Sequence, residues 1–152
     1  MAIKDKYSKL AKTYNLPDFD KLNNEFEIFK IEKEDFLLRE IRKKIAEQLQ
    51  EFIEVLDSVL QPDAVISDMQ ECHAFTDDEK GNVYNVYKKL MYLHRYSLEV
   101  SILGDEKKDA EFIVSAFNEW VNIKKELSNV ISRIKDCWKK ESDIHEVLSY
   151  LG

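Results

Sequence analysis

The chain has 152 residues, with 23 Lys and Arg against 30 Asp and Glu, so its net charge is −7 at pH 7. It holds only 3 Gly and 2 Pro, which leaves too little turn material for an all-β or α/β fold. The acidic balance disfavours nonspecific binding to nucleic-acid phosphates, and no apolar run is long enough to cross a membrane.

Short N-terminal helices are predicted within residues 1–31, where apolar side chains recur at helical spacing over 3–14 and again over 19–26. Asp18 has the residue type and position of an N-cap for the second of these helices. The segment 27–31 fits either a continuation of that helix or a linker.

The first long helix is predicted over 34–60, with Pro62 after its end. Residues 63–75 form a connector with room for a helical turn. The helix has one apolar seam at steps of three and four residues: Leu38, Ile41, Ile45, Leu49, Phe52, Leu56 and Val59.

The second long helix is predicted over 77–103, opened by a capping box of Thr76 and Glu79 and closed by Gly104. A second stripe beside its seam predicts an apolar face wide enough to touch two neighbours. The seam is Val83, Val86, Leu90, Leu93, Ser97 and Val100, and the second stripe is Tyr87, Met91, His94 and Leu98.

The third long helix is predicted over 106–140 with Asp105 as its cap, and a last short helix over 142–152. Its seam is Ile113, Ala116, Trp120, Ile123, Leu127, Val130, Ile134 and Cys137. The predicted fold is all-α: one domain over 1–152, an up-down bundle of three long helices, with the short N-terminal helices completing a four-helix-like packing.

Acidic pairs are candidate metal ligands: Glu51, Glu54, Asp68 and Glu71 are similar to the four-acid magnesium site of all-α nucleotide pyrophosphohydrolases. Pairs at this spacing are no more frequent than 30 acids in 152 residues produce by chance. Solvated helix faces are the main interpretation, and a magnesium-dependent enzyme is the lesser alternative.

Basic residues cluster on the polar face of the first long helix, and they provide the alternative of an RNA- or nucleotide-associated protein. The cluster is Arg39, Arg42, Lys43 and Lys44. The main interpretation is again a solvated face that balances the acids.

The cysteines and histidines form no pattern typical of a metal or catalytic site. Cys72 and Cys137 are expected to be free thiols of a cytoplasmic protein, with a single long-range disulfide as the alternative. His73 adjoins Cys72, which is not the usual spacing of zinc ligands, and His94 is expected to be a hydrogen-bonded core residue. We therefore expect no cofactor and no catalytic residue.

Two N-terminal segments carry a resemblance to known proteins. LAKTYNLPDFDKLNNEFEI at 10–28 and FLLREIRKKIAE at 36–47 resemble small, uncharacterised archaeal all-helical proteins, over about the first third of the chain. The resemblance implies a cytoplasmic protein and lends no catalytic or binding residue. The function expected from the sequence is a non-catalytic helical-bundle interaction module that binds a protein partner or itself.

Overall fold

The computed structural model describes residues 2–140 and 144–145, and these are all-α, with six helices and no strand. The α-helices are α1 (Ala2–Tyr14), α2 (Phe19–Phe26), α3 (Leu37–Leu60), α4 (Ile66–His73), α5 (Asp77–Leu103) and α6 (Glu106–Cys137). A short 3-10 helix, Ile28–Lys30, lies between α2 and α3. No helix in the described ranges combines the length and apolar character needed to span a membrane.

The predicted bounds of α5, 77–103, are confirmed, whereas those of α3 and α6 are too wide. The start predicted at residue 34 is wrong because Phe36 has a φ of 55°, which no right-handed helix accommodates, so α3 begins at Leu37. The end predicted at residue 140 is also wrong. The backbone N–H groups of Trp138 and Lys139 bond to carbonyls three residues back and turn the chain out of the helix.

The structure also describes two segments whose form the sequence left open. Within 27–31 the chain forms the 3-10 helix, entered through a left-handed Glu27 with a φ of 51°. The connector 63–75 contains the whole of α4. The helix predicted over 142–152 lies outside the described residues, except for residues 144 and 145, which are helical.

The caps read from the sequence are confirmed with one exception. Thr76 and Glu79 form the reciprocal capping box: the Thr76 N–H donates to the Glu79 carboxylate at 2.9 Å, and the Glu79 N–H donates to the Thr76 hydroxyl at 3.2 Å. Gly104 is left-handed with a φ of 62°, and the Asp105 carboxylate accepts from the Lys107 N–H at 3.0 Å. Asp18 stands at the N-cap of α2, but its side chain makes no capping hydrogen bond.

The contacts of the chain group into two compact units, each made of two separate stretches. Unit 1 is Met1–Gln50 with Tyr92–Val121, and unit 2 is Glu51–Met91 with Asn122–Gly152. The single domain expected over 1–152 stays a prediction.

In unit 1 the short N-terminal helices pack against the long ones. Phe26 of α2 is buried, with its ring centroid 5.8 Å from that of Trp120 of α6. The Trp120 indole Nε1 donates to the Glu25 carboxylate at 2.7 Å, and the side chain of Gln48 in α3 donates to the Glu25 carbonyl at 3.2 Å. Glu25 therefore links α2 to α3 and to α6.

In unit 2, α4 packs against the C-terminal end of α6. The Gln70 side chain donates to the Cys137 carbonyl at 3.1 Å, and the Trp138 indole donates to the Glu71 carboxylate at 2.9 Å. The core beneath these contacts contains both cysteines, which are buried and free. Burial raises the pKa of the Cys137 thiol, which keeps it protonated at neutral pH.

The seams predicted from apolar spacing are confirmed. All eight seam residues of α6 and all six of α5 are buried, and in α3 only Phe52 is merely half-buried. The prediction for the second stripe of α5 is wrong in unit 1, where His94 is half-buried and Leu98 is exposed. Apolar spacing shows that a helix has an apolar face, but not whether anything covers it.

Candidate functional site

The C-terminal part of α5, in unit 1, carries several exposed large apolar side chains. Tyr92, Leu98, Ile102 and Leu103 lie within twelve residues of one helix and are 68%, 48%, 83% and 56% exposed. We call these four residues the α5 patch. Large apolar side chains scattered singly over a surface are ordinary, whereas contiguous exposed groups of them are frequent at contact surfaces.

An open groove of about 590 Å³ runs beside the α5 patch, between α5 and α6. Tyr92, Tyr96 and Leu103 line it from α5, and Glu111 and Ser115 line it from α6. The Tyr96 ring packs edge-on against the buried Phe112, with their ring centroids 5.2 Å apart. The ring centroids of Tyr92 and Tyr96 are 6.3 Å apart. Through these ring contacts the exposed Tyr92 is connected to the buried Phe112, and the aromatic side chains form one side of the groove.

Charged side chains accompany the α5 patch. Arg95 and Glu99 are exposed, line the same groove and stand on either side of Leu98 along the helix. Across the groove, Lys108 pairs with Glu111 at 3.3 Å. The patch is therefore an apolar surface with both signs of charge at its edge, which is typical of a protein interface.

His94 lies at the margin of this surface rather than in the core. It is half-buried, so the expected core position is wrong, but the expected hydrogen bond is present: the Arg95 guanidinium donates to Nδ1 at 2.8 Å. Because arginine only donates, Nδ1 accepts, and the ring is neutral in this arrangement. Burial lowers the pKa of His94, and the neighbouring Arg95 charge lowers it further.

The predicted basic cluster does not form one surface, because Arg42 is buried. Its Nε donates to the Asp109 carboxylate at 2.7 Å, and its Nη1 lies within hydrogen-bonding distance of the hydroxyl and carbonyl oxygens of Ser97. Arg39 is exposed, and its guanidinium Cζ lies 4.2 Å from the centroid of the Phe36 ring, so its charge remains at the surface.

The remaining two lysines of the cluster differ in exposure. Lys43 is exposed and pairs with Glu40 at 3.4 Å, and Lys44 is half-buried. The cluster thus retains Arg39, Lys43 and Lys44 as candidates for phosphate binding, without the central arginine.

The structure does not gather the four acids considered for magnesium. Glu51 and Glu54 lie on α3, whereas Asp68 and Glu71 lie on α4. Asp68 accepts from the Asp63 N–H at 3.1 Å, and Glu71 accepts from the Trp138 indole. Among the described residues no three His, Cys, Asp or Glu side chains are close enough together to hold a metal ion.

The adjacent Cys72 and His73 also join no such group in the described part of the chain. Cys72 is buried in unit 2, whereas His73, one residue further along α4, is exposed. Neighbouring residues on a helix point about 100° apart, which separates these two side chains.

The sequence interpretation missed the exposed end of α5. Ile102 follows Leu98 by four residues and therefore extends the second stripe of that helix beyond its predicted members. This continuation was a usable signal of an apolar ridge.

Comparison of the chain with protein-family models, curated proteins and solved structures finds no match.

Proposed function

We propose that this chain is a non-catalytic helical interaction module of the cytoplasm that associates with a second copy of itself through the α5 patch. The observation that supports the proposal is the exposure of Ile102, at 83%, among three further exposed large side chains on the same helix segment. Each such side chain contributes about 2 kcal/mol when it is transferred from water to an apolar contact. Burial of all four side chains against a partner surface therefore favours association.

The charges around the patch favour a second copy over an unrelated partner. Arg95 and Glu99 are opposite in sign and separated by one helical turn. When two α5 helices pack antiparallel through their exposed sides, with the two-fold axis at the level of Ser97 along the helix, each Arg95 lies opposite the partner's Glu99. The same helix thus offers both an apolar ridge and a self-complementary pair of charges.

The charge balance and thiols agree with this proposal. The net charge of −7 disfavours binding of nucleic acid, and the burial of Arg42 removes one of the four cations that the sequence offered for such binding on α3. The free thiols of Cys72 and Cys137 are typical of a reducing compartment, which supports the cytoplasmic part of the proposal.

Sedimentation or light scattering across a concentration series tests the proposal. We expect a monomer–dimer equilibrium that Ile102→Lys weakens by at least about tenfold, since it removes an apolar side chain from each copy and places a lysine charge from each copy in the interface. Val121→Lys is the matched control, because Val121 is an exposed residue of unit 1, 54% exposed, on α6 and outside the patch.

A charge exchange makes the test specific for the two-fold arrangement. Arg95→Glu alone should weaken the dimer, and the double variant Arg95→Glu with Glu99→Arg should restore it. A monomer at every concentration, or equal effects of the Ile102 and Val121 variants, would show that the proposal is wrong.

A further inference from the structure

A second groove, of about 320 Å³, lies within unit 2 between the N-terminal half of α5 and the C-terminal half of α6. Its apolar lining consists mainly of Val83, Val86 and Val130, which are buried. This groove is a different surface from the α5 patch, and the inference drawn from it does not rest on self-association.

Two ion pairs join the helices that form this groove. Glu79 of α5 pairs with Arg133 of α6, and Lys89 of α5 pairs with Glu126 of α6 at 3.0 Å. Arg133 is held further by the Ala74 carbonyl, to which it donates at 3.1 Å. Both carboxylates are thus neutralised by a cation, so the groove carries no net charge for a charged ligand to match.

Asparagines occupy the stretch between the two ion pairs. Asn82 and Asn85 line the groove from α5, and Asn129 lines it from α6. All three are exposed, and within the described chain their carboxamides have no hydrogen-bond partner. Asn85 and Asn129 both lie near the middle of the stretch between the two ion pairs, so they line the groove from its two sides at about the same level.

We propose that this groove binds an extended peptide segment through its main chain. A carboxamide has one acceptor oxygen and a donor NH₂ group, which complement the N–H and C=O of a peptide residue. In an extended chain the N–H and C=O of successive residues point to opposite sides, so a segment in the groove presents one residue to Asn85 and the next to Asn129. Successive side chains then point alternately toward the valines and toward solvent.

The size of the groove agrees with a short segment. From Glu126 to Arg133, α6 rises about 10 Å. An extended chain advances about 3.3 Å per residue, so about three residues occupy this length. A nucleotide is less suited to the site, because the one cation among the described lining residues, Arg133, is already paired with Glu79 and none is left for a phosphate.

The test is an NMR titration with the capped peptide acetyl-Ala-Val-Ala-amide, followed through the side-chain NH₂ signals of Asn82, Asn85 and Asn129. We expect saturable shifts at the millimolar concentrations that so small a ligand requires. Asn85→Ala and Asn129→Ala should each weaken binding by about fivefold, the effect of losing one or two neutral hydrogen bonds. Alanine has the higher helix propensity, so both variants retain their helices.

Asn118→Ala is the matched control, because Asn118 is an exposed asparagine of α6 that does not line the groove. The decisive control ligand is the same peptide methylated on every backbone nitrogen, which keeps the side chains and loses the main-chain donors. It should bind at least about fivefold more weakly. No saturable shift, equal binding of the methylated peptide, or shifts caused by adenosine monophosphate and not by the peptide would each overturn the proposal.

Discussion

Arg42 of α3 and Asp109 of α6 form a hydrogen-bonded ion pair of 2.7 Å, 67 residues apart in sequence, and both side chains are buried. Ser97 of α5 completes the arrangement by placing its hydroxyl and carbonyl oxygens 3.3 and 3.4 Å from the guanidinium Nη1. One charge thus connects all three long helices within unit 1. Because the pair satisfies polar groups that would otherwise be buried alone, it also restricts how the three helices can align.

Removing half of this pair should be costly. We expect Asp109→Asn to lower the free energy of unfolding by about 3 kcal/mol, because it leaves the Arg42 charge buried and uncompensated. Urea denaturation measures the loss. In Glu111→Gln, which breaks the exposed pair with Lys108, the loss should be no more than about 0.5 kcal/mol. Equal losses in the two variants would contradict a buried, energetically coupled pair.

The two glycines that the structure describes should respond to alanine with opposite changes in stability. Gly104 has a φ of 62° at the end of α5, so Gly104→Ala should destabilise the protein by about 1 kcal/mol. Gly81 lies inside α5, and a Cβ added there meets nothing within 4 Å, so Gly81→Ala should stabilise it by up to about 1 kcal/mol. Thermal or urea unfolding of the two variants measures these changes in stability. Changes of the same sign would contradict a left-handed position at Gly104 and an ordinary helical position at Gly81.

The capping box at the start of α5 should contribute measurably to stability. Thr76→Ala removes the hydroxyl that accepts from the Glu79 N–H, and we expect a loss of about 1 kcal/mol in the free energy of unfolding. Ser128→Ala provides the comparison, since Ser128 is exposed on α6 and should change stability by less than about 0.5 kcal/mol. A Thr76 variant as stable as the Ser128 variant would mean that α5 does not need its cap.

His94 should make the protein less stable in mild acid. Its pKa in the folded protein lies below the ordinary value of about 6.5, so the unfolded chain takes up the proton first. The free energy of unfolding therefore falls as the pH drops below about 6.5, until the folded protein also binds the proton. Protonation of Nδ1 also removes the acceptor of the Arg95 hydrogen bond.

The comparison that isolates His94 is His94→Gln. Urea denaturation of both proteins between neutral pH and mild acid should show a steeper decline for the wild type, since glutamine does not titrate. His73 and His145 remain in both proteins, so their contributions cancel in the difference. Parallel pH profiles would contradict the lowered pKa of His94.

Much of this fold was predictable because its signals are local. The 3- and 4-residue spacing of the α6 seam, the capping box of Thr76 and Glu79, and the left-handed Gly104 each depend on residues within a few positions of one another. A helix and its ends are decided largely by such short-range interactions. The same reasoning missed the start of α3, because nothing in the neighbourhood of Phe36 indicates its positive φ.

The candidate sites depended on which helices meet, and this only the tertiary structure decided. Arg42 looked like a surface cation, but α6 places Asp109 beside it, and Leu98 looked like a core residue, but it is 48% exposed. Asn85 and Asn129 lie on different helices, so their common groove has no signature in either segment alone. The sequence by itself determined which faces of the helices are apolar, through periodicity along the chain. Which of those faces stay exposed, and which charges are paired, depends on contacts between residues far apart in sequence, and helical spacing carries no information about those.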